Sequence, residues 1–168
     1  KLRAIKSHHC SSDIISFEKI AETVKTAVGF GITKVRLTGG EPLVRKGIIN
    51  LVKLISAIDG ITDFSLTTNG ILLDEFAEEL YYNGIKRVNI SLDTLDSEKY
   101  AQMTRGGNIA DVIKGITKAK NVGFNPIKIN CVIKQHKNEP DALAVAEFCK
   151  QNRLEIRYIH EMNLKTGH

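Results

Sequence analysis

The sequence predicts an α/β fold of about five parallel βα units. Three observations predict it. Short β-branched runs alternate with longer stretches of helical period, glycine-containing breakers separate them, and polar residues gather at the carboxyl end of each run. Five strands are too few to close an eight-stranded barrel.

Each element follows from its own residues. Ser16 can cap a helix that runs to about Gly29, with Phe17, Ile20, Ala21, Val24, Ala27 and Val28 on one face. Lys34 to Thr38 reads as a strand, and Gly39-Gly40-Glu41-Pro42 follows it as a loop. Helical period resumes from about Gly47 to Ile58, with Ile48, Leu51, Val52, Leu54 and Ile55 apolar. A second strand, Thr62 to Thr67, ends in Thr68-Asn69-Gly70, most simply a turn. A third helix spans about Asp74 to Tyr82 with Gly84 as its stop, before a strand from Arg87 to Leu92 and a polar end at Asp93-Thr94. A longer insert carrying Thr104-Arg105-Gly106-Gly107 precedes a helix from about Ile109 to Asn121. The strand Ile127 to Ile133 carries Lys128 and Asn130. A helix from about Pro140 to Gln151 and the strand Glu155 to His160 complete the series.

Composition narrows the function. The 168 residues are 42% apolar and 26% charged, the ordinary globular range, which excludes disordered and collagen-like chains. No apolar run approaches the ~20 residues of a membrane helix, and no basic-then-apolar signal segment opens the sequence, so a cytoplasmic protein without a membrane partner is expected. Cys10, Cys131 and Cys149 are odd in number and widely spaced, which fits a reducing compartment rather than a disulfide framework. With 24 Lys+Arg against 19 Asp+Glu the net charge of +5 suits an anionic metabolite. Nucleic acid would call for a basic stripe interleaved with aromatics, and aromatics make up only 6% with no Trp.

The residues that carry chemistry sit at the strand ends. Two consecutive glycines bare the backbone of the loop at 39–42, either as a tight turn or so that carbonyls and N–H groups approach a ligand closely. Arg36 and Lys128 lie inside strand patterns, where an inward charge needs an anion or a carboxylate partner, Asp93 and Glu41 being the obvious internal ones. Arg105-Gly106-Gly107 is open between a phosphate wrap and a plain loop. Cys131 and Cys149 read as small buried hydrophobes, and His8-His9-Cys10 as a loop without metal-site spacing. No Ser-His-Asp order, paired carboxylates or Walker-type loop is present.

Six motifs arrive in order at successive strand ends. They are Arg36-Leu37-Thr38-Gly39-Gly40-Glu41-Pro42-Leu43-Val44-Arg45, Leu66 to Gly70, Val88 to Asp93, Thr104 to Gly107, Lys128-Ile129-Asn130, and Arg157 to Met162. The series resembles the GTP 3′,8-cyclase family (molybdenum cofactor biosynthesis protein A) of radical S-adenosylmethionine enzymes, over about Ile14 to Met162. The resemblance implies an incomplete (partial TIM-type) parallel α/β barrel, S-adenosylmethionine, and two [4Fe-4S] clusters. It implies a 5′-deoxyadenosyl radical that abstracts the 3′ hydrogen of GTP before the ribose closes onto C8 of guanine. By matching motif positions it implies Gly40, Ser91 and Met162 as cofactor-binding residues, and Arg3, Arg36, Thr67 and Lys128 as substrate-binding residues. The competing readings are a turn glycine, a strand-cap serine and a core methionine, and surface charges for the cations.

The family's Cys-x3-Cys-x2-Cys cluster motif and its second cysteine set are missing from the 168 residues. We therefore expect residues 1–168 to form a single core domain, with the cluster segment omitted between Arg3 and Ala4 and the second-cluster region beyond Met162. These residues alone are expected to be inactive. The family further implies a homodimer and a downstream molybdopterin-precursor enzyme as partner. Two other readings are a radical S-adenosylmethionine enzyme acting on a peptide or tetrapyrrole, and a degenerate nucleotide-binding module without its cluster.

Overall fold

The computed structural model describes residues 14–134 and 136–161. Helices α1 (Phe17–Gly29), α2 (Ile48–Ser56), α3 (Leu73–Tyr82), α4 (Ser97–Thr104), α5 (Ile109–Val122) and α6 (Pro140–Asn152) alternate with strands β1 (Lys34–Leu37), β2 (Asp63–Thr68), β3 (Arg87–Ser91), β4 (Ile127–Ile133) and β5 (Glu155–His160). The strands form one sheet in the order β1-β2-β3-β4-β5, and every neighbouring pair is parallel. Sequential order combined with right-handed crossovers puts every connection on the same side of the sheet. A doubly wound sheet would reverse its order and cover both faces. Here one face is covered and the other is left open, the geometry of a barrel that has not closed.

Alternation within the strands matches this division. Val35 and Leu37, Phe64 and Leu66, Val88 and Ile90, Ile127, Ile129, Cys131 and Ile133, and Ile156 and Tyr158 belong to the apolar core. Against them pack Val52 and Ile55 of α2, Leu73, Ala77 and Leu80 of α3, Val112, Ile116 and Ala119 of α5, and Val145 of α6. Each buried Val, Leu or Ile among them contributes about 1.5–3 kcal/mol. Helix α1 has no buried residue; it lies by α2, with the Arg45 guanidinium 4.2 Å from the Phe17 ring centroid.

The predicted elements are present with ends shifted by one or two residues, and one element differs. The insert after Thr94 holds α4, a helix that the hydrophobic period does not predict. Its local signals are end signals: the Asp96 side chain accepts the Lys99 N–H, and Arg105 closes the helix in the left-handed region at φ 60°. Only Tyr100 of its eight residues is buried, so no apolar stripe announces it.

Candidate functional site

The open face of the sheet is polar over most of its rows, while Val132 and Ile159, opposite each other at the carboxyl ends of β4 and β5, are exposed apolar residues on it. Because side chains alternate along a strand, the residues between the core positions all project to this face. In register across the strands they form rows: Arg36, Ser65 and Arg87; then Thr67, Asn89, Lys128 and Glu155; then Ser91, Asn130 and Arg157. A half-buried sheet face normally gives alternate polar residues to solvent, but these are partly shielded: Ser65 and Asn89 are 2% and 6% exposed. The shielding lies at the centre of the face, on β2 and β3, while Arg36, Ser91, Glu155 and Arg157 around it are exposed.

Its charges are unequal. Lys34, Arg36, Arg87, Lys128 and Arg157 face only Asp63 and Glu155. Arg87 binds Asp63 with Nε donating to Oδ1 at 2.6 Å and a second guanidinium N–H donating to Oδ2. Lys128 Nζ lies 2.5 Å from Glu155 Oε2. Arg36 reaches only the Ser65 hydroxyl, at 3.4 Å, and Lys34 and Arg157 have no carboxylate partner among the described residues. The partners anticipated from sequence for Arg36 and Lys128 are therefore wrong. Asp93 accepts the Val132 N–H at 2.7 Å instead, and Glu41 is committed to its own loop. Partner choice depended on cross-strand register, and Glu155 stands directly opposite Lys128 on the adjacent parallel strand.

At the carboxyl rim the loop after β1 is held open. Gly39 adopts φ 152°, and among the described residues a Cβ placed on either Gly39 or Gly40 would meet nothing within 4 Å. No atom of the described residues requires the absence of a side chain at 40, so the bare backbone there is open to a ligand. Glu41 braces the loop: Oε1 accepts the Leu43 N–H at 3.1 Å and the Thr68 hydroxyl at 2.8 Å, and Oε2 accepts the Asn69 N–H at 2.6 Å. Ser91 is exposed at the end of β3 and lines a cavity of about 170 Å³ with Asn69, Asp93, Thr94, Tyr100 and Met103. Asp93 and Met103 also border a neighbouring cavity of about 380 Å³, which reaches Val132, Lys134 and Asp141. Burial pushes the Asp93 carboxyl above the usual aspartate range, partly opposed by the Val132 N–H.

Asn130 adds a direct sign of a missing partner. Its Oδ1 is buried and accepts no hydrogen bond from the described residues, at a register position between Ser91 and Arg157. A buried acceptor without a donor is costly, and a polar ligand on this face would satisfy it.

The sequence-predicted residues distribute as follows. Arg36, Thr67 and Lys128 share the polar face, Thr67 accepting the Asn89 amide N–H at 3.3 Å. Ser91 stands on the same face one row nearer the rim, and Gly40 lies at the end of β1. Arg3 and Met162, like His8, His9 and Cys10, lie outside the described residues. Asn89, Asn130 and Arg157 were not assigned roles from sequence. Their period-2 placement in β3, β4 and β5, polar where the intervening residues are apolar, was the available signal.

A groove of about 440 Å³ lies at the opposite, amino end of the sheet, lined by Lys120, Phe124, Asn125, Asn152 and Arg153 among others. The carbonyl ends of α5 and α6 point there, so these cations complement helix dipoles and belong to the scaffold.

For a cofactor carrying an ammonium and hydroxyls, as S-adenosylmethionine does, the rim offers bare carbonyls at 39–40, the Ser91 hydroxyl and the unpartnered Asn130 oxygen, and so fits. An iron–sulfur cluster does not fit these residues. Among the described residues no group of three or more His, Cys, Asp or Glu side chains is placed to hold a metal ion, and Cys131 and Cys149 are buried free thiols.

Comparison with known proteins bears on the same geometry. The sequence model of the Radical SAM superfamily matches residues 6–149. The GTP 3′,8-cyclase of Thermodesulfovibrio yellowstonii is 46% identical over 155 residues, covering 92% of this chain and 47% of that protein. That of Pelotomaculum thermopropionicum is 47% identical over 155 residues, covering 92% and 48%. The chain thus spans about half the length of the curated relatives it matches. Among solved structures, Streptococcus suis SuiB bound to S-adenosylmethionine superposes with a TM-score of 0.74 at 22% identity, over 92% of this chain and 35% of that one. Coproporphyrinogen III oxidase from Escherichia coli, a radical SAM enzyme, gives 0.61 at 15% identity, over 89% and 38%. At such identities the likeness speaks for the fold alone. The sheet wound in one direction agrees with the fold of these neighbours, and the family match spanning most of the sequence shows that the chain belongs to the Radical SAM superfamily.

Proposed function

We propose that this chain is the core of a GTP 3′,8-cyclase, acting in the first step of molybdenum cofactor biosynthesis. The observation that carries this reading is the polar face. Five cations against two carboxylates suit a polyanion such as a nucleoside triphosphate and have no use in an enzyme acting on a neutral peptide; a carboxylate-bearing tetrapyrrole is set aside by the relatives, not by the charge. The relatives near 45% identity that bear the name GTP 3′,8-cyclase support the same choice.

In this reading Arg36 and Lys128 neutralise the triphosphate and Thr67 offers its hydroxyl beside them. Arg157 and Lys34, without carboxylate partners, add to that field. The carbonyls of Gly39 and Gly40 take the methionyl ammonium of S-adenosylmethionine, and Ser91 and Asn130 take hydroxyl groups of the same ligand. Arg3 completes the substrate set and Met162 the cofactor set. S-adenosylmethionine held by these residues would supply the radical chemistry, hydrogen-atom abstraction. The protein's share is to fix the ribose against the cofactor and exclude water, which rows of hydrogen-bonded side chains on a rigid sheet do well. The cluster ligands, and a second cluster, belong to parts of the protein outside these residues. A cytoplasmic homodimer that hands its product to the next enzyme of the pathway fits this role.

The test is GTP binding by calorimetry to the full-length protein, wild type beside Arg36→Ala and Lys128→Ala. Saturable binding weakened about tenfold or more by each substitution supports the reading, since a charged hydrogen bond is worth about 1.5–3 kcal/mol. Binding that neither substitution changes refutes it.

A further inference from the structure

Glu155 stands out among the charges of the polar face. It and Asp63 are the two carboxylates there, but they are held differently. Asp63 is gripped by two guanidinium N–H groups of Arg87 in planar fork geometry, with side chains 32% and 21% exposed. Glu155 meets a single ammonium, through one oxygen, from the outermost strand of the sheet, and its side chain is 56% exposed while that of Lys128 is 22% exposed. The first is a fixed cross-strand clasp. The second is a monodentate contact to a point charge, with a carboxylate that has solvent to move into.

The fold does not need this pair. β4 and β5 are already joined over six register positions, and a half-exposed ion pair adds little to that ladder. What the pair does is hold Lys128 on the face and neutralise it, next to cations that have no carboxylate at all. An arriving phosphate group would compete with Glu155 for the same ammonium.

We propose that Glu155 is the resident counter-ion of Lys128, displaced into solvent when the phosphates of the nucleotide bind, and that its negative charge sets how tightly the face holds the nucleotide. The proposal rests on the reading of Lys128 as a nucleotide contact. Glu155 acts through Lys128 and is a positioning residue, in contact with neither reacting atom.

The test is a set of GTP titrations at fixed ionic strength on the full-length protein, comparing wild type, E155Q, E155D, K128A and the K128A/E155Q double variant. Removing one negative charge beside the binding cation should tighten GTP by about three- to tenfold in E155Q. E155D keeps the charge and should stay within about twofold of wild type. In the K128A background the E155Q gain should fall below about twofold, because the shared partner is gone. The gain should also shrink as salt is raised, and S-adenosylmethionine affinity should not move, two readouts that a merely structural role would not produce. Unchanged or weakened GTP binding in E155Q, with K128A still impaired, overturns the proposal and leaves the reading of Lys128 standing. Unchanged binding in K128A overturns that reading and the proposal with it.

Discussion

Glu41 and Thr68 are joined by a 2.8 Å hydrogen bond that spans the carboxyl ends of β1 and β2. The Thr68 hydroxyl donates to Glu41 Oε1 and accepts the Gly70 N–H at 3.1 Å, while Glu41 Oε2 takes the Asn69 N–H. One carboxylate thereby fixes the glycine loop of the first unit to the turn of the second.

Glu41→Ala should therefore destabilise the protein by about 2–3 kcal/mol, because it leaves the Leu43 and Asn69 N–H groups and the 3%-exposed Thr68 without their acceptor. Urea unfolding measures the loss. Glu41→Gln should recover only part of it, since its amide nitrogen must face one of three donors. S-adenosylmethionine binding should weaken more than GTP binding in both variants, because the loosened element is the loop at 39–42.

Two glycines make opposite predictions. In α5 a Cβ on Gly115 would overlap the backbone oxygen of Gly70 and lie 3.0 Å from Leu73 Cβ, in the seam where α5 meets the turn into α3. Gly115→Ala should cost about 2–4 kcal/mol, visible as a lowered urea midpoint. Gly40→Ala meets no atom of the described residues within 4 Å, so its unfolding free energy should stay within about 0.5 kcal/mol of wild type. Its affinity for S-adenosylmethionine should drop about tenfold or more if the ligand occupies that space. Equal affinity in Gly40→Ala and wild type would remove the loop from the cofactor site.

The contrast shows what sequence makes legible. Strand and helix periods, and glycine stops such as Gly84, follow from local rules, and so the sheet was readable. Helix α4 was not, because a surface helix with one buried residue, Tyr100, lacks the apolar stripe that reveals the others. Of the candidate site, the sequence placed Arg36, Thr67, Lys128 and Ser91 in strands, and the structure puts the four on one face. That Lys128 pairs with Glu155, or that the Asn130 oxygen goes unpartnered, depends on cross-strand register, which has no local signature.

Two aspartates near the rim should respond oppositely to pH. Burial raises the folded-state pKa of Asp93, so the folded protein favours its protonated form. Its contribution to stability is full below the unfolded pKa and is lost as pH rises through the raised folded value. Asp93→Asn keeps an oxygen for the Val132 N–H and should hold or gain stability at about pH 7, flattening the decline above the ordinary aspartate range. For Asp141 the Lys99 ammonium, and then the Thr94 hydroxyl, lower the pKa. Its contribution is present above the unfolded pKa and lost as pH falls through the lowered folded value. Asp141→Asn should thus lose stability at about pH 7, by under about 1 kcal/mol for so exposed a pair, and nothing at about pH 2. Urea midpoints across pH decide both, and parallel pH responses in the two variants would contradict the assignment.

The thiols of Cys131 and Cys149 give a probe of how tightly the covered side of the sheet is closed. Burial pushes both to about 11, with the Asp93 charge adding to the effect at Cys131 and Cys131 itself adding at Cys149. At about pH 8 only on the order of one in a thousand of each is thiolate, and the thiolate is the form that reacts. Both are at most 1% exposed, so a bulky reagent must also wait for the helices to part. Alkylation of the native protein followed by peptide mapping should leave Cys131 and Cys149 unmodified, and labelling should rise with urea in step with unfolding. Should Cys131 label quickly in native buffer while Cys149 does not, the rim around Asp93 and Val132 opens on its own, apart from the helix that covers Cys149. A cofactor bound at that rim would then slow labelling of Cys131 alone, which would tie the local opening to the ligand site.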